Sequence, residues 1–318
     1  DLSVAIVSGL CAAIMAVLVE QHAWAAVPGI AAAIAAGAAI GLFQGTIVTR
    51  FGIPSFVVTL AGLIGWQGAL LWVLGDTGTV NITNPTIQDL AGTFFTGATA
   101  YVIAGVVVAA FAASSLEARR RRLAAGLVAA TPLVVAVRVA AVALVAFGVV
   151  AVLDQDRGLP LALVILVGFV VVFDYIVRRT RFGRHVLAVG GNTEAARRAG
   201  IHVDRVRVMV FVLASSLAAC GGILFASRLL AVNQSSGGSD LLLLAIAGPV
   251  IAGTSLFGGR GTVWAALLGG LVIGSITNGM DLLALPSSTK YMVTGGVLLA
   301  AVVVDAAARQ RRQRAGRV

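Results

Sequence analysis

Ten stretches of this chain are apolar for long enough, or nearly so, to cross a membrane: residues 2–19, 24–43, 55–74, 98–114, 133–153, 159–177, 208–230, 241–258, 262–280 and 290–306. A spanning helix needs about 20 mostly apolar residues, because each adds about 1.5 Å toward a hydrocarbon layer roughly 30 Å thick. The rest of the composition agrees. Of 318 residues, 59% are hydrophobic and 11% charged, and the mean hydropathy is +1.01. A soluble domain is about half apolar and a quarter charged, so these charges cannot cover a soluble surface. The predicted class is an all-α integral membrane protein, a polytopic bundle of about ten spans forming one transmembrane domain over 1–318. The span 98–114 is short, and 133–153 contains Arg138, whose side chain can snorkel to the near interface.

The net charge of +10 does not point to nucleic acid, because the basic residues fall in short runs between apolar segments. All are Arg except Lys290. With alternating loops, nineteen collect on one side: Arg50, Arg119 to Arg122, eight arginines in 178–207, Arg260, and Arg309, Arg311, Arg312, Arg314 and Arg317. The opposite side holds Arg157, Arg228 and Lys290. The arginine-rich side is therefore cytoplasmic. The long loop 75–97, which has no Lys or Arg, faces outward. Its Asn81-Ile82-Thr83 fits a glycosylation sequon, a pattern too common to carry weight. Cys11 and Cys220 lie in apolar segments without a CxxC or Cys/His cluster and read as small packing residues. The chain starts without Met, and its N-terminal part is expected to be missing.

Two stretches share a pattern. Asp1-Leu2, a span, a span with Gly37, Gly41 and Gly45, Gln44, Pro54 and a further span parallel Asp240-Leu241, a span, a span with Gly270 and Gly274, Asn278, Pro286 and a further span. The topology puts Gln44 at the cytoplasmic end of its helix and Asn278 at the outer end of its own. This predicts an inverted repeat of the kind found in transporters. Gly-rich helices are also what any membrane bundle needs for close packing.

The segment 183–201 lies in the cytoplasmic loop 178–207 yet carries helix signals. Asn192 is a good N-cap and Glu194 suits the positive end of a first turn. Ala195, Ala196 and Ala199 favour helix, and Gly200 suits the position just past its end. A helix of about two turns is expected over 192–199, and by composition it reads as a capped surface helix. The run Gly190-Gly191-Asn192-Thr193-Glu194-Ala195-Ala196-Arg197-Arg198-Ala199-Gly200-Ile201 resembles the coupling loop of bacterial ABC-importer permeases for monosaccharides such as ribose, xylose and arabinose. Asp1-Leu2-Ser3-Val4 resembles the family's DLSVG element, with Ala5 in place of its Gly. Ile53-Pro54-Ser55-Phe56-Val57-Val58-Thr59-Leu60-Ala61-Gly62 is similar to its PSFIVTLG element, and Gly253-Thr254-Ser255-Leu256-Phe257-Gly258-Gly259-Arg260-Gly261 to its GGTSLxGGxG turn. The segments between 98 and 177 resemble the D-xylose branch.

The resemblance implies a multi-pass permease of the bacterial cell membrane that imports a monosaccharide, a pentose such as xylose. Its partners would be an ABC ATP-binding subunit, an extracytoplasmic sugar-binding protein, a second copy of itself and membrane lipid. Other ligands for the same machinery are a branched-chain amino acid or a nucleoside, and a stand-alone secondary transporter is the different-class alternative. No G-x-x-x-x-G-K-[ST] occurs, so the chain cannot cradle ATP phosphates itself. The resemblance implies that ATP is bound by the partner subunit and that this chain carries no cofactor. Asn192, Glu194, Ala195, Ala196 and Gly200 would couple to that ATPase. A path for a neutral sugar needs hydroxyl, amide and aromatic groups, for which Asp1, Ser3, Gln44, Trp66, Gln67 and Asn278 are the candidates. Each also suits a helix–helix hydrogen bond or an interfacial anchor. Asp174 with Arg178, and Asp305 with Arg309, read as interfacial ion pairs. His22, His185 and His202 fit no metal or catalytic constellation. Acidic residues sit near span ends rather than mid-membrane, against a proton-driven carrier, and no clustered nucleophile or acid/base pair suggests an enzyme.

Overall fold

Where backbone N–H and C=O groups cannot reach water, they must pair with each other, and apolar segments therefore become helices. A computed structural model describes residues 1–255 and 258–314, apart from the side chains at 239, 304, 305 and 307–314. Its helices are α1 (Val4–Ala16, continued as a π-helical turn, Val17–Gln21), α2 (Ala26–Phe51), α3 (Ser55–Leu74), α4 (Pro85–Gly92), α5 (Ala98–Ala124), α6 (Pro132–Leu153), α7 (Leu161–Arg179), α8 (Arg181–Gly191), α9 (Thr193–Arg198), α10 (Val203–Leu229), α11 (Ser239–Ile251), α12 (Trp264–Leu282) and α13 (Ser287–Arg314). Four short strands accompany them: β1 (Thr79–Asn81), β2 (Phe94–Phe95), β3 (Leu159–Pro160) and β4 (Ala231–Asn233).

Among the described residues, eight helices are long and apolar enough to span a membrane, and all ten expected segments contain one helix each. Several boundaries differ from expectation. The helix in 241–258 is only the 13-residue α11, with Pro249 inside it. Leu256 and Phe257 lie outside the described residues, as do the side chains of Asp305 and Arg309 and the arginines of the tail. Elsewhere the helices outrun the hydrophobic stretches. The 27 residues of α5 reach about 40 Å, well past the hydrocarbon, so Arg119 to Arg122 ride on its last turns rather than in a loop. In the same way Arg50 belongs to the last turn of α2, and Arg205 and Arg207 to the start of α10.

The chain forms two compact units, 1–88 with 166 onward, and 89–165. In the first, α1 is the central helix, with eleven of its 13 residues buried. It packs against α2, α3 and α10. The Gly37/Gly41/Gly45 face of α2 lies directly on α10: a β-carbon at Gly37 would sit 2.7 Å from the Ser215 carbonyl oxygen, and one at Gly45 3.0 Å from Val208 Cα. In α12 the packed glycine is Gly269, which abuts Gly248 of α11, whereas Gly270 and Gly274 face open space. As α1 packs on both α2 and α3, so α11 packs on both α12 and α13, matching the order of the repeated pattern. Cys11 is buried and Cys220 half-buried, both as free thiols.

Loops expected on one side also meet. In the first unit β1 pairs antiparallel with β4, Val80 opposite Val232. Glu20 accepts hydrogen bonds from the Thr83 and Asn84 amides, each at 2.9 Å, and from the Thr83 hydroxyl. In the second unit β2 pairs with β3, the Gly97 amide donates to Asp154 at 2.8 Å, and α5 packs on α6 around Ala100, Ala104 and Val150.

Candidate functional site

The loop 178–207 is almost wholly helical. Thr180 caps α8 by accepting from the Gly183 amide, 3.2 Å. This helix was not expected, and the Thr180/Gly183 spacing is the signal that could have revealed it. Asn192 then breaks from helical geometry (φ −152°, ψ 102°), and its side chain accepts from the Ala195 amide at 2.9 Å, capping α9 as expected. The helix ends as expected too: Gly200 has φ +82°, and the Ile201 amide reaches back to the Ala196 carbonyl, 3.0 Å, in a Schellman arrangement. Glu194 pairs with Arg197 and Arg198, each at 3.4 Å.

Burial divides this short helix into two faces. Ala196 is buried with Val189, Val203 and Val206, and Val186 and Ile201 pack against them, so it anchors α9 to its own protein. Asn192, Glu194, Ala195 and Gly200 are exposed. The 183–201 segment is thus a capped, anchored knob with one exposed polar face. Asp174 and Arg178 pair at 2.8 Å at the end of α7, just before it.

The path candidates separate into two groups. Asp1, Ser3, Gln44 and Trp66 come together. Asp1 accepts from the Ser3 amide and hydroxyl, both at 2.8 Å, and the Gln44 amide donates to the Ser3 hydroxyl at 2.9 Å. Ser3 and Gln44 are fully buried, and the Leu2 amide donates to buried Thr59 at 3.0 Å. Gln44 stands seven residues before the end of α2, about 10 Å inside it, rather than at its end. It opens onto a groove of about 450 Å³ lined by α2 and α3, including Phe43, Ile47, Val57, Val58, Ala61 and Trp66. Trp66 Nε1 is buried there without a hydrogen-bond partner, and the ring meets Phe43 edge-on at 6.1 Å. Gly62 leaves the space between the two polar ends: a β-carbon there would lie 3.1 Å from Trp66 Nε1 and collide with Gln44 Nε2.

The other two candidates lie elsewhere. Gln67 donates to the Gln234 carbonyl at 3.1 Å, tying α3 to the loop before α11. That loop runs deep: its Ser236 and Gly237 lie against Gly9 and Ala5 of α1. Asn278 is exposed on α12, on the face that carries Gly270 and Gly274.

The sequence profile described as "Branched-chain amino acid transport system / permease component" matches residues 1–302. The chain belongs to this permease family. It is similar to the xylose transport system permease protein XylH of Escherichia coli (strain K12), 34% identical over 311 residues, covering 98% of this chain and 79% of the relative. The protein of that name from Haemophilus influenzae is 32% identical, covering 98% of this chain and 82% of the relative. The L-arabinose ABC transporter permease protein AraH of Azospirillum brasilense is 30% identical over 313 residues, covering 98% and 74%. No solved structure matches the chain. The family and the span-length helices together make this a multi-pass membrane permease.

Proposed function

We propose that this chain is the permease subunit of an ABC importer that brings a neutral monosaccharide, a pentose such as xylose, into the cytoplasm. The groove between α2 and α3 carries this reading. Its volume of about 450 Å³ lies in the small-molecule range of roughly 300–1,000 Å³. Its polar equipment is one amide and one unsatisfied indole N–H among apolar walls. Such a lining suits hydroxyl groups and an apolar sugar face, and it holds them weakly enough for release. The carboxylate of an amino acid would call for a cationic partner, and the groove is lined by none. The names of the xylose and arabinose relatives support the same class.

ATP is hydrolysed on a separate subunit, which docks on the exposed face of α9: Asn192, Glu194, Ala195 and Gly200. Closure of that subunit pushes α8–α9 as a lever and tilts the attached α7 and α10. Each chain offers one such lever, and two ATPases that close on each other need two, so the working permease is a homodimer. The exposed Gly270/Gly274/Asn278 face of α12, which allows close approach, is the contact we assign to the second copy. A sugar-binding protein delivers substrate at the opposite side, where β1 and β4 lie.

Co-reconstitution of the permease with its ATPase and binding protein in liposomes tests this. Labelled D-xylose should accumulate only with ATP, L-leucine should not, and the complex mass should contain two copies of this chain. Glu194→Arg and Gly200→Val should abolish import while the chain remains inserted, through loss of the helix start and of the left-handed residue that ends it. Leucine uptake, or an active complex with one permease copy, would overturn the proposal.

A further inference from the structure

Two glycine pairs far apart in the sequence meet in the fold: Gly190-Gly191 at the end of α8, and Gly258-Gly259 in the turn between α11 and α12. The contact is backbone on backbone. A β-carbon at Gly190 would lie 2.7 Å from the Gly259 amide nitrogen, one at Gly258 2.9 Å from the Gly190 carbonyl oxygen, and one at Gly259 2.7 Å from Gly191 Cα. Hydrogen bonds hold the turn's described residues. The Thr254 amide donates to the Pro249 carbonyl at 2.9 Å, and the Ser255 amide to the Arg260 carbonyl at 3.1 Å. Gly253, Gly258 and Gly259 have φ of +93°, +85° and +75°, which L side chains resist.

On one side of this contact, Gly191 runs directly into Asn192, the cap of α9, with no linker between. On the other side the turn joins α11 to α12, and these two helices are themselves locked by the Gly248–Gly269 backbone contact. Backbone therefore leads from α9 through Gly190 to Gly258-Gly259 and on to α12, which in turn meets α11 at Gly248–Gly269.

We infer that the Gly258-Gly259 pair is a second receiver of the ATPase stroke, taking the displacement of α8–α9 through Gly190 and passing it along the chain to α12, and from α12 to α11 across the Gly248–Gly269 contact. This rests on the proposed docking of an ATPase on α9. Along the chain, α8–α9 moves only the helices it connects, α7 and α10. Through the glycine contact it also moves a pair with no covalent link to it nearby. A side chain at an interface absorbs a small shift by changing rotamer. Two backbones in contact have no rotamer to change, and a close-packed structure hands the shift on. Gly190 is thus a positioning residue, acting on the transport path through α11 and α12.

The neighbouring glycine supplies the control. A β-carbon at Gly191 meets open space, whereas one at Gly190 strikes the turn, and neither residue has a positive φ. Gly190→Ala and Gly191→Ala complexes with the ATPase and binding protein are compared in liposomes for D-xylose imported per ATP hydrolysed. Gly190→Ala should copurify with the ATPase and hydrolyse ATP at the normal rate, yet import about tenfold less sugar per ATP. Gly191→Ala should match the unsubstituted chain, and Gly259→Ala, which enters the contact from the turn, should behave like Gly190→Ala. Equal coupling in the Gly190 and Gly191 variants overturns the inference alone. So does a Gly190→Ala chain that no longer holds the ATPase, since the contact would then build the docking face rather than transmit through it. An unsubstituted complex that hydrolyses ATP without importing sugar overturns the proposed function, and the inference with it.

Discussion

At Gly41 a β-carbon would press into the backbone of Phe211 and Val212, while at Gly274 it would meet nothing. Both glycines belong to a GxxxG pattern, Gly41 with Gly45 and Gly274 with Gly270, and the sequence treats them alike. The fold separates them because one residue along a helix is a turn of about 100°, and in α12 it is Gly269, not Gly270 or Gly274, that faces the neighbouring helix. Gly41→Leu should therefore cost about 1–3 kcal/mol or more through overpacking, read as a lowered melting temperature in detergent. Gly274→Leu should leave the melting of the single chain within about 0.5 kcal/mol of normal. Equal losses in the two variants would contradict the packing described. The site residues show the same limit of sequence reading. Asn192 and Gly200 were legible, because capping is a local affair of a side chain and the next few amides. The separation of Gln67 from Gln44 was not, because it depends on which neighbour each helix face meets.

Among the elements, the hydrophobic stretches located the spans but not the helix ends. Hydropathy reports where lipid stops, and a helix continues as long as its backbone bonds are made, as the arginine-bearing last turns of α5 do. This changes where orientation should be probed. Ser114 lies ten residues inside α5, whereas Ala125 follows its last turn. In a chain with Cys11 and Cys220 replaced by Ser, a cysteine at Ala125 or at Arg198 should resist a membrane-impermeant thiol reagent added to intact cells. One at Asn81 should react. Outside labelling at Ala125 would reverse the topology that the arginine distribution implies. The unexpected α8 has a similar cause: its residues Arg181–Gly191 are mixed in polarity and sit in what hydropathy treats as loop.

For the molecule as a whole, the bundle class, the family and the short capped helix between α7 and α10 could be read from the order of segments and motifs. The inward reach of the loop before α11 could not. Residues 234–238 look like an ordinary polar turn, yet Ser236 and Gly237 lie against α1. That reach leaves α11 only 13 residues, about 20 Å, against a hydrocarbon thickness of roughly 30 Å. The consequence concerns how the protein is made. Insertion machinery accepts a segment by its own length and apolarity, and α11, short and bearing Pro249, falls below what a lone segment needs. It should enter the bilayer only as a hairpin with α12, the Gly248–Gly269 contact closing during synthesis. Flanked by glycosylation reporters, α11 alone should mostly pass through into the lumen, and α11 followed by α12 should be retained. Efficient retention of α11 alone would show that the short helix needs no companion to stay in the membrane.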